Sequence, residues 1–282
     1  MRARLRKGSF LIYALGIFIL LAIFSTGLAL RARVTIKQAK LYINSRRAFY
    51  LAQSGVILAK KIIELDDKTA DYLGEDWAKS INETVDFYDP HQEGKLAVVV
   101  EDESSKVNIN SGEPAVKILA ALMLARNVYH AEDKADNILI YSGVKPLPQS
   151  DEAGFKGKRF SVPEELLSVP GISGEDYASL KYLVTIYGFG KFNVNTMPRE
   201  IFDAVVSDGS VKAEMLSSLA LGAHYGGTGG EILPLVPTRI LVSLGTVTSH
   251  FRVTSTAAAG GAQKKITCVI ERDSGRIVYW HE

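Results

Sequence analysis

The chain has 282 residues, 47% of them hydrophobic, and a formal net charge of +2. That length buries a sizeable core and fits one or two domains, while a single cysteine, Cys268, excludes an intramolecular disulfide framework and a cysteine-rich metal site. The charge is uneven: the first 30 residues carry Arg2, Arg4, Arg6 and Lys7 and no acid, so the remainder has 29 bases against 31 acids and is a poor match for nucleic acid.

The first element is the uncharged run SFLIYALGIFILLAIFSTGLAL at 9–30. As a helix rising about 1.5 Å per residue it spans the roughly 30 Å hydrocarbon core of a membrane. The positive-inside rule holds the basic RARLRK upstream in the cytoplasm and puts the rest of the chain beyond the inner membrane; Arg31 and Arg33 weaken that bias without reversing it. The run exceeds the roughly 7–15 apolar residues of a cleaved secretory signal, and Leu30-Arg31-Ala32-Arg33 is a poor cleavage site.

KGSF at 7–10 resembles the prepilin-type processing site, in which glycine and a small residue open an apolar helix. Cleavage after Gly8 would make Ser9 the mature N-terminus, and glycine lets the backbone lie close to a peptidase. Most pilin-like proteins have glutamate at the fifth mature residue, where this chain has Tyr13. An unpaired carboxylate inside a membrane is expensive, so its absence implies, within the resemblance, a subunit with no neighbour to neutralise, at the tip of a filament. An ordinary single-pass anchor would lack the glutamate as well.

Helical spacing continues over 31–65. Tyr42, Phe49, Val56 and Ile63 recur every seven residues, and Ser45, Ala48, Ala52, Gly55 and Ala59 form a stripe of small side chains that admits close approach by another helix or sheet. Such a helix extends the membrane segment outward; it serves as a core helix along one part of its length and an assembly helix, through Tyr42, Phe49 and Val56, along another. FYLAQSG at 49–55 resembles the FYLAxxG stretch that follows pilin-like membrane segments.

Next come an acidic helical or loop-like stretch, DDKTADYLGEDW at 66–77, and turn residues in YDPHQEG at 88–94. KLAVVVEDESSKVNIN at 95–110 reads as two strands turned near 103–105, with Asp102 and Glu103 as solvated turn carboxylates. The end of this stretch, KVNINS at 106–111, returns as KFNVNT at 191–196. In each copy apolar and polar residues alternate, so Val107 and Ile109 face away from Asn108 and Asn110. Each also feeds a helix, AVKILAALMLA at 115–125 or IFDAVV at 201–206, with Asn110 and Glu113 at capping-box spacing and Pro198 in a first turn. Asn108, Asn110, Asn193 and Asn195 therefore read as side chains that tie loops and helix starts to the sheet.

Residues 112–190 are mostly helical. The predicted helices are AVKILAALMLARNVYH at 115–130, AEDKADNILIYSG at 131–143, SVPEELLSV at 161–169 and GEDYASLKYLVTIYG at 174–188, with a Pro/Gly loop at 145–160. After the second copy come a helix and glycine-rich loop at 215–234, strands at 238–244, 250–258 and 263–273, and a final strand-like RIVYWHE at 276–282. A sheet interrupted by a helical insertion and then resumed explains the separation of the two copies.

Catalytic patterns are absent: there is no HExxH, CxxC or GxSxG, and GGTGG at 226–230 lacks the Lys-Ser or Lys-Thr of a phosphate cradle. LLSVPGISGEDYASL at 166–180 resembles a helix-hairpin-helix DNA-backbone element, which would suit a membrane-anchored DNA-uptake receptor. However, Ser173 replaces its second glycine, and Glu164, Glu165, Glu175 and Asp176 against Lys181 make an acidic surface unsuited to phosphate.

Taken in order, the prepilin-like start without glutamate, FYLAQSG, EDESSKVNIN, SVPEELLSVPGISGEDYASLKYLVTIYG, KFNVNTMP and HFRVTS…VIERDSGRIVYWHE resemble the K-type minor pseudopilins of type II secretion (general secretion pathway protein K). The likeness covers most of the chain. It implies an α+β fold: leader 1–8, transmembrane segment 9–30, helix extension 31–65, and a pilin-like α/β domain over 66–111 and 191–282 with an all-helical domain, 112–190, inserted. It further implies a non-enzymatic place at the tip of a periplasmic pseudopilus, helping to start its assembly and protein export. The implied partners are the I- and J-type minor pseudopilins, other pseudopilins, the inner-membrane secretion platform and, for processing, prepilin peptidase. A type IV pilus minor pilin is the neighbouring alternative. No cofactor is expected. Some members bind calcium near an acidic DWxD-type segment, but here that place reads NILIYSG, leaving Asp133, Asp136, Asp151 and Glu152 as the nearby acids.

Overall fold

The computed structural model describes residues 7–86, 93–146, 155–206 and 244–282. It opens with α1 (Lys7–Leu65), a single helix of 59 residues and about 88 Å. No proline interrupts it, so the apolar run and its polar extension form one rod. There follow a 3-10 turn (Asp76–Ala78), β1 (Ile81–Asp86), β2 (Glu93–Asp102), a second 3-10 turn (Glu103–Ser105) and β3 (Val107–Asn108). A helical stretch comes next, with α2 (Glu113–Ala125), α3 (Ala131–Tyr141), a 3-10 segment (Pro163–Ser168) and α4 (Gly174–Leu180). The chain closes with β4 (Val184–Thr185), β5 (Phe192–Asn193), α5 (Arg199–Val206), β6 (Leu244–Gly245), β7 (His250–Ala259), β8 (Ala262–Glu271) and β9 (Ile277–His281).

Five strands form one antiparallel sheet in the order β1-β2-β7-β8-β9. Strand alternation selects its inner face: Leu96, Val98 and Val100 of β2 lie beside Ala257, Ser255 and Val253 of β7. Onto this face α1 lays Leu51, Ala52, Val56, Ala59 and Ile63, all buried. Small residues on both sides bring helix and sheet close, and Trp77 closes the cluster edge-on to Phe251 at 5.0 Å.

The sheet runs along only the outer part of α1. Asn44 Nδ2 donates to the Gly260 carbonyl (2.9 Å) at the β7–β8 hairpin, and Arg272, after β8, donates to Asp66 Oδ2 (2.8 Å) just past the helix C-terminus. Residues 103–249 leave and rejoin the sheet between β2 and β7, at the end remote from the apolar run. Their described part builds a second hydrophobic cluster around Val107, Ile109, Leu119, Leu122, Ile138, Leu166, Leu180, Phe192 and Ile201.

Several sequence expectations change. KVNIN does not fold back on β2: β3 runs parallel to β4, which lies inside a stretch expected to be helical, since α4 stops at Leu180 and the β-branched Val184 and Thr185 pair with Val107 and Asn108. β2 instead pairs with β1, a strand the sequence reading missed. The expected helix at 115–130 ends at Ala125, where Asn127 and His130 take left-handed conformations, and SVPEELLSV forms a 3-10 segment. Most of the predicted strand at 238–244, and the helix and loop at 215–234, lie outside the described residues.

Candidate membrane anchor and assembly surface

Gly8 and Ser9 occupy the first turn of α1; the leader before Lys7 lies outside the described residues. From Phe10 to Leu30 the helix packs against no other element among the described residues, and Phe10, Phe18, Leu20 and Phe24 are each more than two-thirds exposed. An apolar surface of this extent far exceeds what a protein leaves facing water, and the helix is long and apolar enough to cross a membrane. Tyr13 stands on it 70% exposed, with no carboxylate on the helix before Glu64.

The heptad residues divide by height along the rod. Val56 is buried in this chain's own core and is unavailable to a partner. Phe49 is half-buried, edge-on to Tyr50 at 5.6 Å. Tyr42 is exposed, with the Arg46 guanidinium 5.5 Å from its ring centroid, because the sheet reaches down only to Asn44. Sequence reasoning passed over Tyr50 and Ile57, which are exposed on the face of α1 turned from the sheet. Their signal was their offset from the small-residue stripe.

A polar seam joins the sheet to the second cluster, and the four asparagines lie in it. The two copies make the same turn: Asn108 Oδ1 accepts from Asn110 N (2.9 Å) and Asn193 Oδ1 from Asn195 N (3.0 Å). Each sits on a two-residue parallel pair, β3 with β4 and β5 with β6. Asn108 Nδ2 donates to the carbonyls of Tyr187 and Gly188 (2.9 and 3.0 Å). Asn110 does not cap α2, whose N-cap is Gly112; it exchanges two 2.9 Å hydrogen bonds with the Phe160 backbone. Asn193 Nδ2 has three acceptors, the Asp71 carbonyl, Asp102 Oδ2 and Thr248 Oγ1, at 3.0–3.1 Å, and Asn195 Nδ2 also donates to the Asp71 carbonyl (3.1 Å).

Asp102 and Glu103, expected in water, are buried at the centre of this seam. Asp102 Oδ1 accepts from Ser104 N (2.6 Å), and Oδ2 takes Asn193 and Thr196. Burial raises its carboxyl above the usual range against the pull of these donors. Burial acts on Glu103 too, but Lys106 (2.8 Å) and Arg252 (2.5 Å) outweigh it and hold the carboxyl low. Asp71, ion-paired to Arg272 and bonded to Thr248 N (2.6 Å), is pushed up to about 6 by burial. Most of these polar groups are partnered within the seam, while the buried Asn195 Oδ1 and Arg272 Nε have no hydrogen-bond partner among the described residues. Burial likewise pushes the Cys268 thiol up to about 11, which leaves it unreactive.

The described acids and the hairpin that the sequence singled out have partners within the protein. Asp133 contacts His130 (3.2 Å), Asp136 pairs with Lys145 (2.7 Å), and Asp151 and Glu152 lie outside the described residues. Asp66, Asp71 and Glu75 bring carboxylate oxygens within 4.8 Å of one another, but Arg272 already supplies the positive charge to two of them. In the hairpin at 163–180, Gly171 makes the left-handed turn and Asp176 caps α4 reciprocally with Ser173 while pairing with Lys134 (2.7 Å).

Among solved structures, this geometry matches a chain of the GspK-GspI-GspJ complex from the type 2 secretion system of enterotoxigenic Escherichia coli, with a TM-score of 0.63. The two share one fold. The match covers 88% of this chain and 98% of that one at 17% identity. No protein-family model matches the sequence, and no curated protein does. This chain's α+β architecture, in which an antiparallel sheet and mixed helices follow a long N-terminal helix, thus matches that of the neighbour at the level of fold.

Proposed function

We propose that the chain is a minor pseudopilin at the tip of a type II secretion pseudopilus, anchored by 9–30 in the inner membrane with its folded part in the periplasm. In this role it helps to initiate pseudopilus assembly and protein export, beside I- and J-type minor pseudopilins, and has no catalytic turnover. Prepilin peptidase would release residues 1–8 by cutting between Gly8 and Ser9, and residues 112–190, with their flanking corners, would be a helical domain inserted into the pilin-like one.

One observation carries the reading: the helical stretch leaves the sheet at the end of α1 remote from the apolar run, where Arg272 and Asn193 converge on Asp71. In a filament of parallel rods, that end is where the next subunit outward would rest. A bulky unit there, on a rod whose membrane segment lacks the carboxylate that pairs with a neighbour, suits the terminal position. The shared fold with a chain from a GspK-GspI-GspJ assembly supports this choice of partner class. Purification of the full-length chain from native membranes tests the proposal: recovery with I- and J-type subunits is expected, and recovery with type IV pilus subunits would turn the assignment to a minor pilin.

A further inference from the structure

The stretch of α1 between the apolar run and the sheet has no assigned role. It carries Arg31, Arg33, Lys37 and Lys40, all exposed, and none has an acidic partner among the described residues. The chain has no acid before Glu64, so nothing along the rod neutralises these charges.

We infer that Arg31, Arg33, Lys37 and Lys40 form a collar that binds the anionic phospholipid headgroups of the outer face of the membrane crossed by 9–30, an inference that rests on the anchor reading above. Height along the rod is the first argument. At about 1.5 Å per residue, Arg31 and Arg33 lie within about 5 Å of the end of the apolar run, Lys37 about 10 Å and Lys40 about 15 Å above it. A headgroup layer is roughly 5–8 Å deep, and the Debye length adds about 8 Å at physiological salt, so all four fall within reach of phosphate charge. Arg46, higher on the rod, is already engaged with Tyr42.

Angle is the second argument. At about 100° per residue, Arg33, Lys37 and Lys40 fall within an arc of roughly 60°, while Arg31 projects from the opposite side. Charge on two opposite sides of the helix meets lipid on both. A single acidic partner helix would engage only the three-residue stripe. Because α1 is unbroken, charge gripping the headgroups also fixes how far the sheet and the helical stretch stand above the bilayer.

The test uses the full-length chain in bilayers of phosphatidylcholine and phosphatidylglycerol, and measures the lipid that stays bound after mild detergent extraction by native mass spectrometry. Wild type is expected to retain phosphatidylglycerol at least about threefold above its bulk share at low salt, falling towards the bulk share at high salt. The quadruple variant Arg31→Gln/Arg33→Gln/Lys37→Gln/Lys40→Gln should show the bulk share at all salt concentrations. Arg31→Lys/Arg33→Lys and the remote Lys60→Gln should behave as wild type. Equal retention by wild type and the quadruple variant would overturn the inference, as would a variant that sheds partner subunits with its lipid unchanged. Carbonate washing of native membranes separates the two levels: a wild-type chain released by carbonate sinks the anchor reading and the collar together, whereas a resistant chain without lipid preference sinks the collar alone.

Discussion

Gly55 of α1 faces Ser255 of β7 with no room between them. A Cβ at position 55 would overlap Ser255 Oγ and lie 2.8 and 2.9 Å from Val98 Cγ2 and Leu96 Cδ1. The helix reaches the sheet this closely because position 55 has no side chain, and the rod is seated by this contact together with Ala48, Ala52 and Ala59. Gly55→Ala would gain about 1 kcal/mol of helix propensity but force the two elements apart at a cost of about 1–3 kcal/mol. Thermal unfolding of the detergent-solubilised chain should therefore show a lower midpoint for Gly55→Ala, and a much lower one for Gly55→Val.

Ser255 gives the converse case. Its buried hydroxyl has no hydrogen-bond partner among the described residues, and an unsatisfied buried hydroxyl costs about 1–3 kcal/mol. Ser255→Ala is expected to raise the unfolding midpoint and to soften the effect of Gly55→Ala when the two are combined. Additive behaviour of the pair would show that residues 55 and 255 do not touch in solution.

Asn193, the first asparagine of the second copy, and Asn110, the second of the first, have unequal surroundings. Asn193 is fully buried, and its amide serves three acceptors, including the Asp102 carboxylate. Removing it strips donors from a low-dielectric seam, so Asn193→Ala should cost about 2–4 kcal/mol in chemical denaturation, against about 1 kcal/mol for the half-buried Asn110. Similar losses at both sites would mean that the seam does not couple the sheet to the helical stretch.

The same seam sets a pH dependence. Asp71 has a folded value of about 6 against 3.8 in the unfolded chain, so between these values the folded state binds more protons and stability rises as pH falls. Asp102 is shifted in the same direction. Glu103 is shifted the other way; its contribution is complete above 4.5 and is lost as pH drops through its depressed folded value. Thermal stability should increase from about pH 7 to about pH 5, by about 1 kcal/mol from Asp71, and decline in stronger acid as Glu103 is protonated. Asp71→Asn should flatten most of the rise; an unchanged slope in that variant would place its origin elsewhere.

The elements that sequence revealed best were those governed by local patterning. The run at 9–30, the small-residue stripe and the alternation in β7 and β8 each follow from one helix or strand burying one face. The asparagine pairs were legible as strand-to-helix corners because both copies shared one grammar. What stayed hidden was pairing at a distance. Val184 and Thr185 look helical until Val107 and Asn108 arrive from nearly 80 residues earlier, and Asp102 and Glu103 look solvated until Asn193, Thr196, Lys106 and Arg252 close over them. Likewise Val56 and Tyr42 share a heptad position, and only the length of the sheet decides that one is core and the other bare.

Leader processing is an independent prediction. In cells with active prepilin peptidase, intact-mass measurement of the membrane-extracted chain should find Ser9 as the N-terminal residue, and Gly8→Val should leave residues 1–8 attached. A wild-type chain that keeps Met1 to Gly8 under these conditions would remove the pilin-like reading, whatever its fold.

The central claim is position in an assembly, and cross-linking of the full-length chain in its native membranes, followed by mass spectrometry, tests it most directly. The account predicts links from the exposed face of α1, around Tyr42, Tyr50 and Ile57, to I- and J-type subunits, with no subunit linked above the helical stretch. Links that place another subunit over that stretch, or a chain that yields no links to such subunits, would contradict it.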